Sequence, residues 1–235
     1  MCGRFALLTP GEDLVTQFGV TETPVDVSRI APRYNVAPTQ PVVVVRGTAV
    51  STGSRQAVTG QRELTFLQWG LIPSWAKDPK IGSNLINARS ETAAEKPSFR
   101  AAFKRRRCLI PADGFYEWQK LGGKKQPMFI HMADKAPFAL AGLWESWHSP
   151  DGGILDTCTI LTTTPNELMA SIHNRMPVIL EPEDYNTWLI PGNQPDQAMH
   201  LLRPYPAEKM TAYAVSAWVN SPAHDDAQCI LPLEQ

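Results

Sequence analysis

Apolar and polar positions change over in short runs along this chain, and few stretches hold a helical period for more than two turns. Gly3 to Leu8 reads as an opening strand, and Pro41 to Arg46, with four successive valines, as a buried one. Glu63 to Trp69 returns from a Ser-, Thr- and Gly-rich stretch, Gly47 to Gly60, which suits an exposed hairpin loop. Arg105 to Arg107 lead into a strand at Cys108. Phe115 to Trp118, Met128 to Met132, Phe138 to Trp144, Thr157 to Thr163 and Met210 to Val215 continue the series, with turns at Asp113-Gly114 and Gly122-Gly123. Short helices fill the gaps. Thr9 should cap one ending near Gly19, Ser90 one running to about Glu95, and Ser98 to Lys104 should form a third. Thr164 and Glu167 have capping-box spacing for a helix through Ser171, and Pro182 to Ile190 and Gln194 to Leu202 follow. The pattern predicts an α+β fold: one domain over residues 1–235, mainly antiparallel strands with short peripheral helices.

Composition narrows the class. An apolar content of 43% supports a sizeable core, and no apolar run approaches bilayer length. The start lacks the pattern of a signal peptide, so a cytoplasmic protein without a membrane partner is expected, by default a monomer. Cys2, Cys108, Cys158 and Cys229 are widely spaced and give no metal-ligand pattern, so no metal, cofactor or disulfide is expected. Net charge is −1, yet residues 96–125 hold nine Lys/Arg against Asp113 and Glu117, while the chain from Glu181 onward holds eight acids against Arg203 and Lys209. That asymmetry is compatible with one basic face, or with ordinary solvated surface.

The candidate chemistry starts at Cys2. If Met1 is removed, one residue offers a thiol beside an α-amine whose ordinary pKa of about 7.7 to 8.0 leaves it partly neutral and nucleophilic. The pair can condense with an aldehyde and close to a thiazolidine, or act as an N-terminal nucleophile on an acyl group. A cysteine packed as a small hydrophobe is the plain alternative. Glu117 sits between Tyr116 and Trp118, where desolvation would raise its pKa toward a proton-transfer role. His173 stands beside Asn174 and Arg175 at a helix end, and Asn87 and Arg89, two apart, share a side of any extended segment. Gly70 to Trp75 fits no regular period: it is either a core-lining loop or a platform on which a base could stack.

Six blocks together resemble the motif series of the SRAP family, the SOS response-associated peptidases understood as abasic-site processing proteins. They are Met1-Cys2-Gly3-Arg4-Phe5, Arg33-Tyr34-Asn35-Val36-Ala37-Pro38, Trp69-Gly70-Leu71-Ile72-Pro73, Asn87-Ala88-Arg89-Ser90-Glu91-Thr92, Pro111-Ala112-Asp113-Gly114-Phe115-Tyr116-Glu117-Trp118 and Ile172-His173-Asn174-Arg175-Met176-Pro177. The resemblance implies a single-domain, barrel-like SRAP fold with a basic channel for single-stranded DNA carrying abasic sites. In it Cys2 is the nucleophile that forms a thiazolidine DNA-protein crosslink, Asn87 positions it or the sugar, Glu117 shuttles protons and His173 assists ring opening and reversal. Arg4, Arg89 and Arg175 would hold phosphates, and Pro38 and Trp69 would wedge or stack against bases. It also implies self-removal of Met1 and a weak abasic-site lyase activity, in a cytoplasmic protein that joins the nucleoid when bound to DNA. Two other readings fit the opening: an amidohydrolase similar to class II glutamine amidotransferases, and a DNA-binding module without turnover.

Overall fold

Two sheets share one apolar interior, and the candidate site lies where the chain passes between them. The structure is a computed structural model that describes residues 2–47, 50–52, 55–57, 61–190 and 195–233. Its strands are β1 (Phe5–Leu7), β2 (Arg33–Val36), β3 (Pro41–Gly47), β4 (Val50–Thr52), β5 (Arg55–Ala57), β6 (Arg62–Trp69), β7 (Asn87–Arg89), β8 (Arg107–Ala112), β9 (Gly114–Leu121), β10 (Lys124–Met132), β11 (Phe138–His148), β12 (Ile154–Thr163), β13 (Met176–Pro177), β14 (Ile179–Leu180) and β15 (Met210–Ala214). The helices are short: α1 (Gly11–Gln17), α2 (Ser90–Ala93), α3 (Arg100–Arg105), α4 (Glu167–Ala170), α5 (Tyr185–Leu189) and α6 (Pro195–His200).

The larger sheet closes on itself. β12, β6, β3, β8 and β11 pair in that order and β11 pairs back to β12, giving a five-stranded barrel whose single parallel contact is β12 to β6. Closure leaves these strands few open edges. All four valines of β3 are buried, so both faces of the strand are covered, and Val42 and Val43 border a cleft with Phe5, Leu7 and Val36 of the second sheet. That smaller sheet runs β15-β10-β9-β1-β2 and is antiparallel throughout. Strand alternation divides its side chains: Phe5, Phe115 and Ile130 join the main core, while Ala6, Tyr116 and Phe129 face a second cluster with Val215, Val219 and Cys229 near the chain's end. The β9–β10 hairpin turns through Gly122 and Gly123 at φ of 53° and 83°, the pair of left-handed positions such a tight turn demands.

Several element boundaries differ from the sequence reading. Pro10, not Thr9, precedes α1, because Thr9 is taken by Asp113: the carboxylate accepts from the amides of Leu8 and Thr9 and from the Thr9 hydroxyl. Ser90 is the first residue of α2 rather than its cap, and α2 stops at Ala93 instead of reaching Glu95. Asn166 caps α4 by accepting from the Met169 amide at 2.8 Å, so the Thr164–Glu167 spacing is not a capping box. The Gly47 to Gly60 stretch carries the small β4–β5 hairpin, and its residues 48, 49, 53, 54 and 58–60 lie outside the described residues, as does Met1. Among the described residues no helix is long and apolar enough to cross a membrane.

Candidate active site

β1 delivers the start of the chain to β9. Phe5 pairs with Phe115, and the Tyr116 amide donates to the Arg4 carbonyl at 3.0 Å, so the segment before β1 runs toward Glu117. Cys2 is fully buried there, with its thiol 3.9 Å from the Arg4 carbonyl. Asn87 reaches it from the other sheet. β7 adds in parallel to β12 with Asn87 opposite Ile160, and the Asn87 Nδ2 donates to the Cys2 carbonyl at 2.8 Å. Asn87 Oδ1 is buried without a hydrogen-bond partner among the described residues, leaving one strong acceptor beside the nucleophile's backbone. Burial, and after it the Glu117 carboxylate, push the Cys2 thiol well above its ordinary range, so the resting thiol keeps its proton. Glu117 itself is buried. The structure thus brings together Cys2, Asn87 and Glu117 from three separate segments of the chain.

His173 follows α4 and is half-buried. Its Nδ1 lies against the Arg175 backbone, 3.0 Å from the amide and 3.2 Å from the carbonyl. Its loop is tied to β9: Gln119, on the same face of the strand as Glu117, donates from Nε2 to the Ser171 carbonyl at 2.9 Å. His173 also lines an open cleft of about 350 Å³ with Trp118 and Lys120.

The predicted DNA contacts separate into two kinds. Arg89 is exposed and makes no ion pair among the described residues. Arg175 is engaged: its Nη1 and Nη2 meet the Glu91 carboxylate at 2.5 and 2.9 Å, and Nη2 also donates to the Thr162 carbonyl at 2.6 Å. The hydrogen bonds and charge of Arg175 hold the Glu91 carboxyl down at about 2. Arg4 is engaged as well, donating to Asn35 Oδ1 and the Val219 carbonyl at 2.8 Å and to the Asn220 carbonyl at 3.1 Å. The guanidinium expected to hold a phosphate instead ties the start of the chain to its end.

Trp69 requires a correction. It is 0% exposed, its indole N–H donates to the Ile86 carbonyl at 2.8 Å, and its ring packs 5.4 Å from Phe5, so it is a core residue and offers no face to a base. Pro38 is half-buried in a turn above it, where the Thr39 amide donates to the Trp69 carbonyl at 2.7 Å. In the Gly70 to Trp75 loop Leu71 and Ile72 are buried while Trp75 is 58% exposed, so the loop lines the core and presents one ring to solvent.

The basic run divides in the same way. Arg107 is buried and donates to the carbonyls of Phe103, Trp188 and Ile190, and Arg106 pairs with Glu145, whereas Arg100, Lys104, Arg105, Lys120, Lys124 and Lys125 are exposed. Two buried or half-buried polar groups that the periodicity did not single out complete the surroundings. Asn35 Nδ2 donates to the Val219, Ser221 and His224 carbonyls, and Asp225 accepts from the amides of Tyr34 and Asn35 and from Arg33.

A profile of the family described as SOS response associated peptidase (SRAP) matches residues 1–222. The chain is 48% identical over 232 residues to the abasic site processing protein YoqW of Bacillus subtilis (strain 168), covering 98% of this chain and 99% of that one. It is 36% identical over 233 residues to the abasic site processing protein HMCES of Gallus gallus, covering 88% of this chain and 68% of that one. Among solved structures, a Bacteroides thetaiotaomicron protein matches with a TM-score of 0.85 at 27% identity over 99% of this chain and 100% of its own. A Bordetella bronchiseptica protein matches with a TM-score of 0.75 at 29% identity over 92% of this chain and 100% of its own. A profile match over nearly the full length, closely similar curated relatives and the closed barrel agree that the chain belongs to the SRAP family.

Proposed function

We propose that this protein processes abasic sites in single-stranded DNA by capturing the ring-opened sugar aldehyde on Cys2 once Met1 has been removed. The activity comes from the names of its relatives; the observation that carries the chemistry is the buried contact of Cys2 with Asn87, beside the Glu117 carboxylate. The freed α-amine attacks the aldehyde carbon, and the carbinolamine loses water to give an imine. The thiol then adds to the imine carbon and its proton passes to the nitrogen, closing a thiazolidine with one water lost overall. Because burial and Glu117 keep the thiol protonated, ring closure needs a base at the moment of attack, and Glu117 is the carboxylate placed to take that proton. Asn87 fixes the Cys2 backbone, and its Oδ1, without a partner among the described residues, is an acceptor available to the amine or the sugar hydroxyl. His173, whose loop Gln119 ties to β9, is the candidate group to hydrogen-bond the ring oxygen as the sugar opens. Unpaired DNA suits the site, since a sugar without a base costs little to turn into a pocket.

Incubating protein verified to begin at Cys2 with single-stranded DNA bearing one abasic site should leave an adduct that survives denaturation without any reductant. Cys2→Ser should abolish the stable product, and Glu117→Gln should slow its formation by about 10²-fold or more, the scale of a lost proton-transfer group. An adduct of unchanged stability in Cys2→Ser would overturn the proposal. Release of ammonia from glutamine by the wild type would favour the amidohydrolase reading instead.

A further inference from the structure

The outward face of β9 makes a second connection to the site through a residue outside the motif blocks. Asn220 ends the 3-10 turn Ala217–Asn220. Its backbone carbonyl accepts from Arg4 Nη2 at 3.1 Å, and its side-chain Oδ1 accepts from Trp118 Nε1 at 2.7 Å. Arg4 is two residues from Cys2, and Trp118 follows Glu117, so one residue spans the segment bearing the thiol and the strand bearing the carboxylate. The neighbours of Asn220 hold it in place. The buried Val219 offers its carbonyl to Arg4 Nη1, and Asn35 Nδ2 donates to the carbonyls on both sides, at Val219 and Ser221.

Adjacent side chains on a strand point to opposite faces. Trp118 packs outward with the cluster around Tyr116, while Glu117 points inward. Any roll of β9 that moves the Trp118 ring therefore turns Glu117 relative to Cys2. We infer that Asn220 is a positioning residue for the reaction at Cys2: by pinning the Trp118 indole to the Arg4 clamp it sets the angle at which Glu117 faces the thiol. The inference rests on the capture reaction proposed above.

The test compares wild type, Asn220→Asp and Asn220→Leu, all beginning at Cys2. Single-turnover adduct formation is followed on abasic single-stranded DNA, and affinity is measured separately on DNA carrying a tetrahydrofuran analogue that cannot open to an aldehyde. Asn220→Asp keeps an oxygen acceptor for the indole and should react within about twofold of wild type. Asn220→Leu removes the acceptor and should react about three- to tenfold more slowly, the scale of one hydrogen bond, with unchanged affinity for the analogue. Adding Trp118→Phe to Asn220→Leu should cost no further rate, because the shared bond is already gone. A wild-type rate in Asn220→Leu, equal losses in the Leu and Asp variants, or a loss confined to affinity would each overturn the inference. Should Asn220→Leu fail to fold, Asn220→Ala carries the same expectation. A wild type that forms no adduct defeats the capture reaction itself, and the positioning role with it.

Discussion

Arg89 and Arg175 meet at the same residue of β12 and end in opposite states. Arg89 is paired in register with Thr162, and Arg175 donates to the Thr162 carbonyl. The turn into α2 carries Glu91 away from Arg89 and onto Arg175, so one guanidinium is held in a bidentate ion pair and the other projects into solvent. A count of basic residues treats them alike. The difference teaches that charge on this surface is set by which carboxylate or carbonyl the fold brings within reach, and Arg4 and Arg107 extend the lesson to guanidiniums that serve the fold.

Removing a committed arginine should be felt in stability, and removing a free one in DNA binding. The largest effect is expected at Arg107. Arg107→Ala would strip partners from the Phe103, Trp188 and Ile190 carbonyls in a buried setting and should cost about 3 to 5 kcal/mol in urea unfolding. A loss below about 1 kcal/mol would break the division between structural and free arginines. Arg89→Ala should leave the melting temperature unchanged and weaken single-stranded DNA binding, reducing the slope of log affinity against log salt by about 0.7. An unchanged slope would show that Arg89 contacts no phosphate. The smallest effect is at Arg175, whose partner is an exposed carboxylate with 47% of its side chain accessible. The Glu91 carboxyl, held at about 2 against an ordinary 4.5, contributes stability that is complete above about 4.5 and is lost as pH falls through about 2. Arg175→Ala should return Glu91 to the ordinary range in an NMR titration, and its stability deficit relative to wild type should shrink as pH falls across that window, leaving only the share due to the lost Thr162 bond. A Glu91 that still titrates near 2 in the variant would locate the cause elsewhere.

Much of this fold was legible in the chain. The run Val42 to Val45 announced a strand buried on both faces, and Gly122-Gly123 announced a tight hairpin, because each depends on local sterics and burial alone. The closure of the barrel through the parallel pairing of β12 with β6 was not legible from periodicity, since it joins Thr157 to Gln68 across a long stretch of chain with no local signature. Caps failed where a tertiary partner outbid the local one: Thr9 had a hydroxyl suited to α1, and Asp113 took it. Within the site, Cys2, Asn87 and Glu117 could be picked out by residue type, whereas the burial of Trp69 could not, because Trp69 and Trp75 read alike until the chain is folded. Asp225 and Asn220 act through backbone groups, one guanidinium and a single indole, contacts that leave no mark on composition or spacing.

The proposed capture depends on the freed aminothiol of Cys2, and intact mass spectrometry of Cys2-initiated protein with abasic single-stranded DNA reads it out. The predicted species weighs protein plus DNA less one water, forms without borohydride, and is missing when Cys2 is replaced by alanine. A product of that mass persisting in Cys2→Ala, or unmodified protein alone from the wild type, would contradict capture by Cys2.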